Sequence, residues 1–195
     1  MLKLFDHKKT MNILSECRLG YMIRIGSNVF LAPTAVLIGN VELDDGVSIF
    51  DNAVLRGDLN SIRIGKNTNV QDNVTIHTER ENAVLVGNNV SIGHNAVVHG
   101  AKVDDNVIIG MGSVILNGSH IASGCIVGAG AVVKENFSCP PNSIIAGIPA
   151  TVKRTGDDIA IMAQSNGKGY QVLRDRYLRS EYERKTGKDL VNVQK

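Results

Sequence analysis

An aliphatic residue recurs every six positions through most of this chain, and this period constrains the fold more than any other feature. The residue after it is often glycine, and four positions after it stands a small or β-branched residue. Six residues are too few for a helical repeat and too many for simple strand alternation. The period predicts a parallel β-helix of triangular section, with one short strand per hexapeptide and three hexapeptides per coil.

The aliphatic anchors of this repeat are predicted to point inward and to stack on their equivalents in neighbouring coils, about 4.8 Å apart. They are Leu31, Leu37, Leu43, Ile49, Leu55, Ile64, Val70, Ile76, Val86, Ile92, Val98, Val103, Ile109, Ile115, Ile121, Val127 and Val133. Because each coil buries its faces only against its neighbours, both ends of such a solenoid need caps.

The chain divides into three predicted segments. Residues 1–28 lack the repeat and are expected to cap one end, and residues 29–154 form the β-helix. In residues 155–187 the apolar spacing changes to that of an amphipathic helix, which is expected to pack on the β-helix. Gly167 and Gly169 are expected to break or fray this helix.

Composition narrows the functional classes. Twenty-one Lys and Arg against 19 Asp and Glu leave a net charge of +2, which is no signature of nucleic-acid binding. No apolar run approaches the length of a membrane span. The three cysteines have no metal-ligand spacing, and Cys125, at an inward repeat position, is expected to be a small buried hydrophobe. We therefore expect a cytoplasmic protein without nucleic-acid or membrane partners.

Three histidines are the candidate metal ligands. His77 and His99 each follow an anchor, and counting faces places them at equivalent positions on adjacent coils, where two imidazoles can converge on one ion. His94 follows its anchor by two residues, near a different corner, so a neighbouring subunit of a threefold trimer is the simple way to complete the site. Three neutral nitrogens with an open water position suit a catalytic zinc, although single surface histidines are more often merely solvated.

Other polar side chains fall into register with these histidines. Arg56 is predicted to lie one coil before His77, and Asp72 one coil before His94 beside Gln71. A carboxylate and an amide at these places are able to orient ligands. Arg56 and Asp58 alternatively form only a salt bridge between subunits.

The motifs resemble those of the γ-class carbonic anhydrases, trimeric zinc proteins of the left-handed β-helix superfamily. They are Arg56-Gly57-Asp58, Asn69-Val70-Gln71-Asp72 followed by His77, Gly93-His94 and His99-Gly100, with Gly110-Met111-Gly112-Ser113. The resemblance covers about residues 10–185 and implies an all-β, left-handed parallel β-helix followed by a C-terminal α-helix.

The resemblance also implies a function. His77, His94 and His99 are then zinc ligands, Arg56 and Asp58 an interface ion pair, and Gln71, supported by Asp72, a positioning residue. The implied reaction is the reversible hydration of carbon dioxide to bicarbonate by a metal-bound hydroxide in a homotrimer. Iron and cobalt also suit imidazole ligands.

Two features depart from this pattern. The loop Thr78–Ala83 is short, so Glu79 and Glu81 are either substitutes for a proton-shuttle glutamate or solvated loop residues. Ala146–Ala150, followed by Lys153 and Arg154, resembles the closing segment beside the CoA site of hexapeptide acyltransferases, or is simply a terminating turn. A CoA acyltransferase, an acyl-CoA thioesterase and a catalytically weak metal-binding assembly protein therefore remain alternatives.

Overall fold

The computed structural model describes residues 22–186 and residue 189, so residues 1–21 of the predicted cap 1–28 lie outside the described range. The described strands and helix are β1 Ile23–Ile25, β2 Phe30–Leu31, β3 Val36–Leu43, β4 Ser48–Ile49, β5 Val54–Ile64, β6 Asn69–Val70, β7 Thr75–His77, β8 Val84–Val86, β9 Ser91–Ile92, β10 Val97–His99, β11 Lys102–Val103, β12 Ile108–Ile109, β13 Val114–Ile115, β14 His120–Ile121, β15 Ile126–Val127, β16 Val132–Val133, β17 Ser143–Gly147, β18 Ala150–Thr155 and α1 Asp157–Leu178.

The strands stack into three faces of a parallel β-solenoid of about seven coils. The first face contains β2, β4, β6, β9, β12, β15 and β17, with β18 added antiparallel at its end. The second contains β7, β10, β13 and β16, and the third contains β1, β8, β11 and β14. The long strands β3 and β5 turn the corner between the second and third faces. The predicted fold class is confirmed.

The core is a column of aliphatic side chains inside the coils. All anchors from Leu43 to Val133 are buried, none more than 4% exposed. Leu31 keeps the predicted anchor register, opposite the buried Ile49, but is 39% exposed. The reason is its place on β2, a terminal strand that pairs only with β4 and has no described coil on its other side.

Helix α1 runs back along the solenoid from the last coil to the first. Near its beginning, the Gly156 N–H donates to the Asn142 carbonyl at 2.9 Å. Near its end, the ring centroids of Tyr177 and Phe30 lie 4.8 Å apart. A helix of 22 residues is about 33 Å long, which matches about seven coils at the spacing of paired strands.

Gly167 and Gly169 do not interrupt α1, so the predicted break is wrong. Gly167 is buried, and a Cβ on it would lie 3.2 Å from the Asn89 carbonyl oxygen. The missing side chain lets the helix approach the solenoid closely, and that packing outweighs the low helix propensity of glycine. The helix ends at Leu178, before the end of the predicted segment 155–187.

Residues in the left-handed conformation turn the chain at the corners. Glycine fills these positions because it has no Cβ, and asparagine because its short polar side chain tolerates a positive φ. The corner column between the third and first faces is Asn28, Gly46, Asn67, Asn89, Asn106, Gly124 and Asn142. Arg174 of α1 binds this column, donating to the Gly46 carbonyl at 2.7 Å and to Oδ1 of Asn67 at 3.0 Å.

Candidate metal centre

His77 and His99 lie side by side at the ends of β7 and β10. The strand register pairs His77 with His99 directly, and pairs Arg56 with His77 on the preceding coil. Nδ1 of His77 and Nε2 of His99 are 2.9 Å apart. The face count predicted that these two histidines are neighbours. They are 22 positions apart in the sequence, which is one coil including its loop.

The outer nitrogen of each imidazole faces an oxygen acceptor. Nε2 of His77 is 3.0 Å from Oδ1 of Asp58, and Nδ1 of His99 is 2.6 Å from Oδ1 of Asn117. An ionised carboxylate and an amide oxygen only accept hydrogen bonds, so the outer nitrogen of each ring carries a proton. The two inner nitrogens face each other at 2.9 Å, a distance that either a shared proton or a cation bound between them accounts for.

Asp58 is held by charge as well as by geometry. Nη1 of Arg56 donates to its Oδ2 at 2.6 Å within the same chain. Partial burial raises the pKa of Asp58, but the hydrogen bonds from Arg56 and His77 together lower it by more, so the pKa of Asp58 lies below its ordinary value. Asp58 is therefore an ionised acceptor for His77 at neutral pH.

Two contacts were missed from the sequence: that of Asn117 with His99 and that of Asp58 with His77. Asn117 stands one coil after His99, just before Gly118, which turns the chain with a φ of 68°. The contact of Asn117 with His99 could have been predicted from the sequence by counting one coil forward from each histidine as well as one coil back.

His94 lies at another corner, between the first and second faces, as the face count predicted. Its Nδ1 is 2.8 Å from Oδ2 of Asp72, on the coil before it. The neighbouring Asn95 N–H donates to the Asp72 carbonyl at 3.0 Å, so the backbone fixes this pair in register. With Nδ1 taken by Asp72, Nε2 is the nitrogen of His94 that faces outward.

Gln71 is buried beside His94, with 5% of its surface exposed. Its Oε1 accepts from the His94 backbone N–H at 3.2 Å, and its Nε2 donates to Oδ1 of Asn69 at 3.0 Å. Asn69 donates in turn to Oγ of Ser91 at 2.8 Å. Hydrogen bonds at both ends hold the Gln71 amide in one orientation.

One chain thus brings together two of the three predicted ligands. Within the described range, no group of three His, Cys, Asp or Glu side chains is arranged to hold a metal ion. His77 and His99 sit at one corner and His94 at another, so the three histidines do not meet in a single protomer.

A cavity of about 320 Å³ opens beside His94, between the first face and α1. Gln71, His94 and Met111 line it from the solenoid, and Tyr170 lines it from the helix. Burial raises the pKa of Tyr170, and the nearby Asp72 raises it further. The Tyr170 hydroxyl therefore stays protonated at neutral pH.

The short loop after His77 folds on itself. The backbone groups of Glu79 and Asn82 exchange hydrogen bonds at 3.0 and 3.2 Å, and Oε1 of Glu79 accepts from the Arg80 N–H at 3.1 Å. Glu81 is exposed. The structure places neither glutamate in contact with the histidines.

Comparison with known proteins gives relatives of two kinds. A family model described as "Bacterial transferase hexapeptide (six repeats)" matches residues 83–117 and 100–135. The mitochondrial gamma carbonic anhydrase 2 of Arabidopsis thaliana is 35% identical over 202 residues, covering 92% of this chain and 71% of that protein. A carbonic anhydrase of Geobacillus kaustophilus is 35% identical over 161 residues, covering 78% of this chain and 88% of that protein.

Among solved structures, a hexapeptide transferase family protein from Anaplasma phagocytophilum superposes with a TM-score of 0.77 at 29% identity, covering 82% of this chain and 95% of that one. No helix in residues 22–186 combines the length and apolarity that a bilayer span requires. Cytoplasmic location stays a prediction, since one of these relatives is named as mitochondrial.

Proposed function

This chain belongs to the family of gamma carbonic anhydrases, and from that premise we propose that it is a zinc-dependent enzyme for the reversible hydration of carbon dioxide. The observation that carries the proposal is the pair of facing nitrogens of His77 and His99, 2.9 Å apart. Each ring is oriented by an acceptor on its outer nitrogen, which is the usual support of a histidine ligand. The donor set therefore fits a divalent cation that accepts imidazole ligands.

The third ligand is His94 of a neighbouring subunit. Asp72 takes its Nδ1 at 2.8 Å and leaves Nε2 to bind outside its own chain. A threefold homotrimer of parallel solenoids brings this corner of one chain to the corner of His77 and His99 of the next, three times over.

The metal, when bound, supplies Lewis acidity that lowers the pKa of a water molecule towards neutrality. Zinc suits three neutral nitrogens and one open position, and iron and cobalt suit the same ligands. Gln71 presents a fixed amide beside His94, where it orients carbon dioxide or bicarbonate. Arg56 and Asp58 hold His77, and Asp72 holds His94.

An acyl-transfer function is the second candidate, supported by the likeness to the transferase family protein over 95% of its length. An acyltransferase or acyl-CoA thioesterase of this fold needs one histidine as a general base and no shared metal. The two functions therefore differ in metal content, and a metal-binding assembly protein differs from both in having metal without turnover.

The first experiment measures metal content and then carbon dioxide hydration beside acyl-CoA hydrolysis. We expect about one metal per chain, with hydration lost in both His77→Ala and His94→Ala. His120→Ala is the matched control, because this histidine pairs with Asp104 at 2.8 Å on the third face. A metal-free protein that hydrolyses acyl-CoA would refute the proposal.

Co-expression of the two inactive variants tests the shared site. If His77 and His94 come from different chains, a random mixture of His77→Ala and His94→Ala subunits rebuilds about one quarter of the sites. If both ligands come from one chain, the mixture recovers no metal and no activity. Metal retained by the His94→Ala variant alone would equally contradict a shared site.

A further inference from the structure

Two thiols face each other inside the last coil, away from the candidate metal centre. Sγ of Cys125 and Sγ of Cys139 are 3.8 Å apart. Cys125 is fully buried, whereas Cys139 is partly exposed. Cys139 directly follows Ser138, which pairs with His120 on the coil below, so the backbone of this segment is held in register.

The surroundings of Cys125 fix its sulfur towards the end of the solenoid. Its Sγ lies 3.3 Å from the Pro140 carbonyl oxygen and accepts from the Ser143 N–H at 3.3 Å. A disulfide requires the two sulfurs to approach to about 2.05 Å. Closing the gap of 3.8 Å requires a side-chain rotation, and Cys139 is the partly exposed member of the pair.

We propose that Cys125 and Cys139 are an oxidisable pair that forms a disulfide when the protein meets hydrogen peroxide. In the first step the Cys139 thiolate attacks one peroxide oxygen. The O–O bond breaks, the sulfur becomes a sulfenic acid, and hydroxide leaves. In the second step the Cys125 thiol attacks that sulfur. The S–S bond forms, the S–O bond breaks, and the departing hydroxide leaves as water with the thiol proton.

The difference in pKa between the two thiols determines which one attacks the peroxide. A hydrogen bond from the Cys125 thiol lowers the pKa of Cys139 to about 7, although burial opposes this shift. The same interaction and burial raise the pKa of Cys125. The thiolate is the reactive form of cysteine, so Cys139 is the attacking sulfur and Cys125 the resolving one.

The disulfide closes a loop from residue 125 to residue 139, which is most of one coil. Closing about 15 residues restricts the unfolded chain, and for a protein of this size we expect the midpoint of thermal unfolding to rise by about 5–10 °C. Oxidation therefore cross-links the coil that contains β15 and β16, directly before the β17–β18 hairpin that leads to α1.

The chain has three cysteines, and Cys17 lies outside the described residues. The test therefore uses the full-length Cys17→Ser variant, in which Cys125 and Cys139 are the two remaining thiols. The protein is treated with hydrogen peroxide, alkylated, and digested with trypsin. Lys134 separates Cys125 from Cys139, so the fragments 103–134 and 135–153 stay joined only through a disulfide. We expect a joined fragment pair that dithiothreitol releases, with loss of both free thiols.

Single substitutions separate the roles of the two sulfurs. In Cys125→Ala the Cys139 sulfenic acid has no resolving thiol and is trapped by dimedone, whereas in Cys139→Ala the buried Cys125 stays reduced. Two free thiols under excess peroxide, or Cys139 oxidised to a sulfonic acid without any joined fragments, would overturn the proposal. If a variant fails to fold, the digest of the Cys17→Ser protein still decides.

Discussion

Replacing Asn117 with alanine removes the acceptor on Nδ1 of His99, and we expect this to weaken zinc binding without unfolding the protein. The hydrogen bond measures 2.6 Å and is partly buried. Loss of such a support for a histidine ligand typically costs 10- to 100-fold in metal affinity. At about 1.4 kcal/mol per tenfold change, this is about 1.4–2.8 kcal/mol of binding free energy.

The cost to folding is smaller, because Asn117 makes one neutral hydrogen bond to a side chain, worth about 1 kcal/mol. Zinc affinity is measured by competition with a chelating dye, and folding by thermal unfolding of the metal-free protein. The control is Glu135→Ala, since Glu135 is exposed and holds the same register position one coil further from His99.

A zinc affinity within twofold of the unsubstituted protein would contradict the assignment of Asn117 as a support for His99. An equal loss in Glu135→Ala would contradict it as well, because that variant leaves the hydrogen bond intact.

Three further predictions concern the scaffold. Ile109 is 0% exposed in a central coil, so Ile109→Ala should lower the free energy of unfolding, measured with urea, by about 2–5 kcal/mol. The control is Ile161→Ala on α1, where the side chain is 67% exposed and the free energy of unfolding should change by less than about 0.5 kcal/mol. Arg174→Ala removes the hydrogen bonds of α1 to the corner column, and should cost about 1–3 kcal/mol and speed proteolysis within the helix. The hydrogen bond from Arg184 lowers the pKa of Asp51 below its ordinary value of 3.8. The ionised Asp51 therefore stabilises the fold above that pH, and this stabilisation is lost as the pH falls below it. Asp51→Asn should flatten the pH dependence of the free energy of unfolding between pH 4 and 2, measured by denaturant titration.

The register of the solenoid could be predicted because it follows from counting. A coil of three hexapeptides places each residue above another a fixed number of positions earlier, and the sequence shows where extra residues enter, as in Thr78–Ala83. The pairing of His77 with His99, and the place of Asp72 beside His94, needed only this count and the spacing of paired strands.

Side-chain direction at the corners could not be counted in the same way. Asn117 precedes a residue with a positive φ, and only the turn itself aims its amide at His99. The continuity of α1 through Gly167 was missed for a related reason. Whether a glycine breaks a helix depends on what lies against it, here the carbonyl of Asn89, and no local pattern records that neighbour.

The return of α1 along the solenoid has a consequence for how the chain is made. Each coil pairs with residues about 20 positions behind it, so the coils can form in sequence as the chain leaves the ribosome. Arg174, by contrast, binds a carbonyl 128 residues earlier, and Tyr177 packs on Phe30 and Phe50 of the first coils. The part of the protein synthesised early therefore lacks the contacts of Tyr177 and Arg174 until α1 has been translated, so the packing of the first coils is completed only after the last coils have been made.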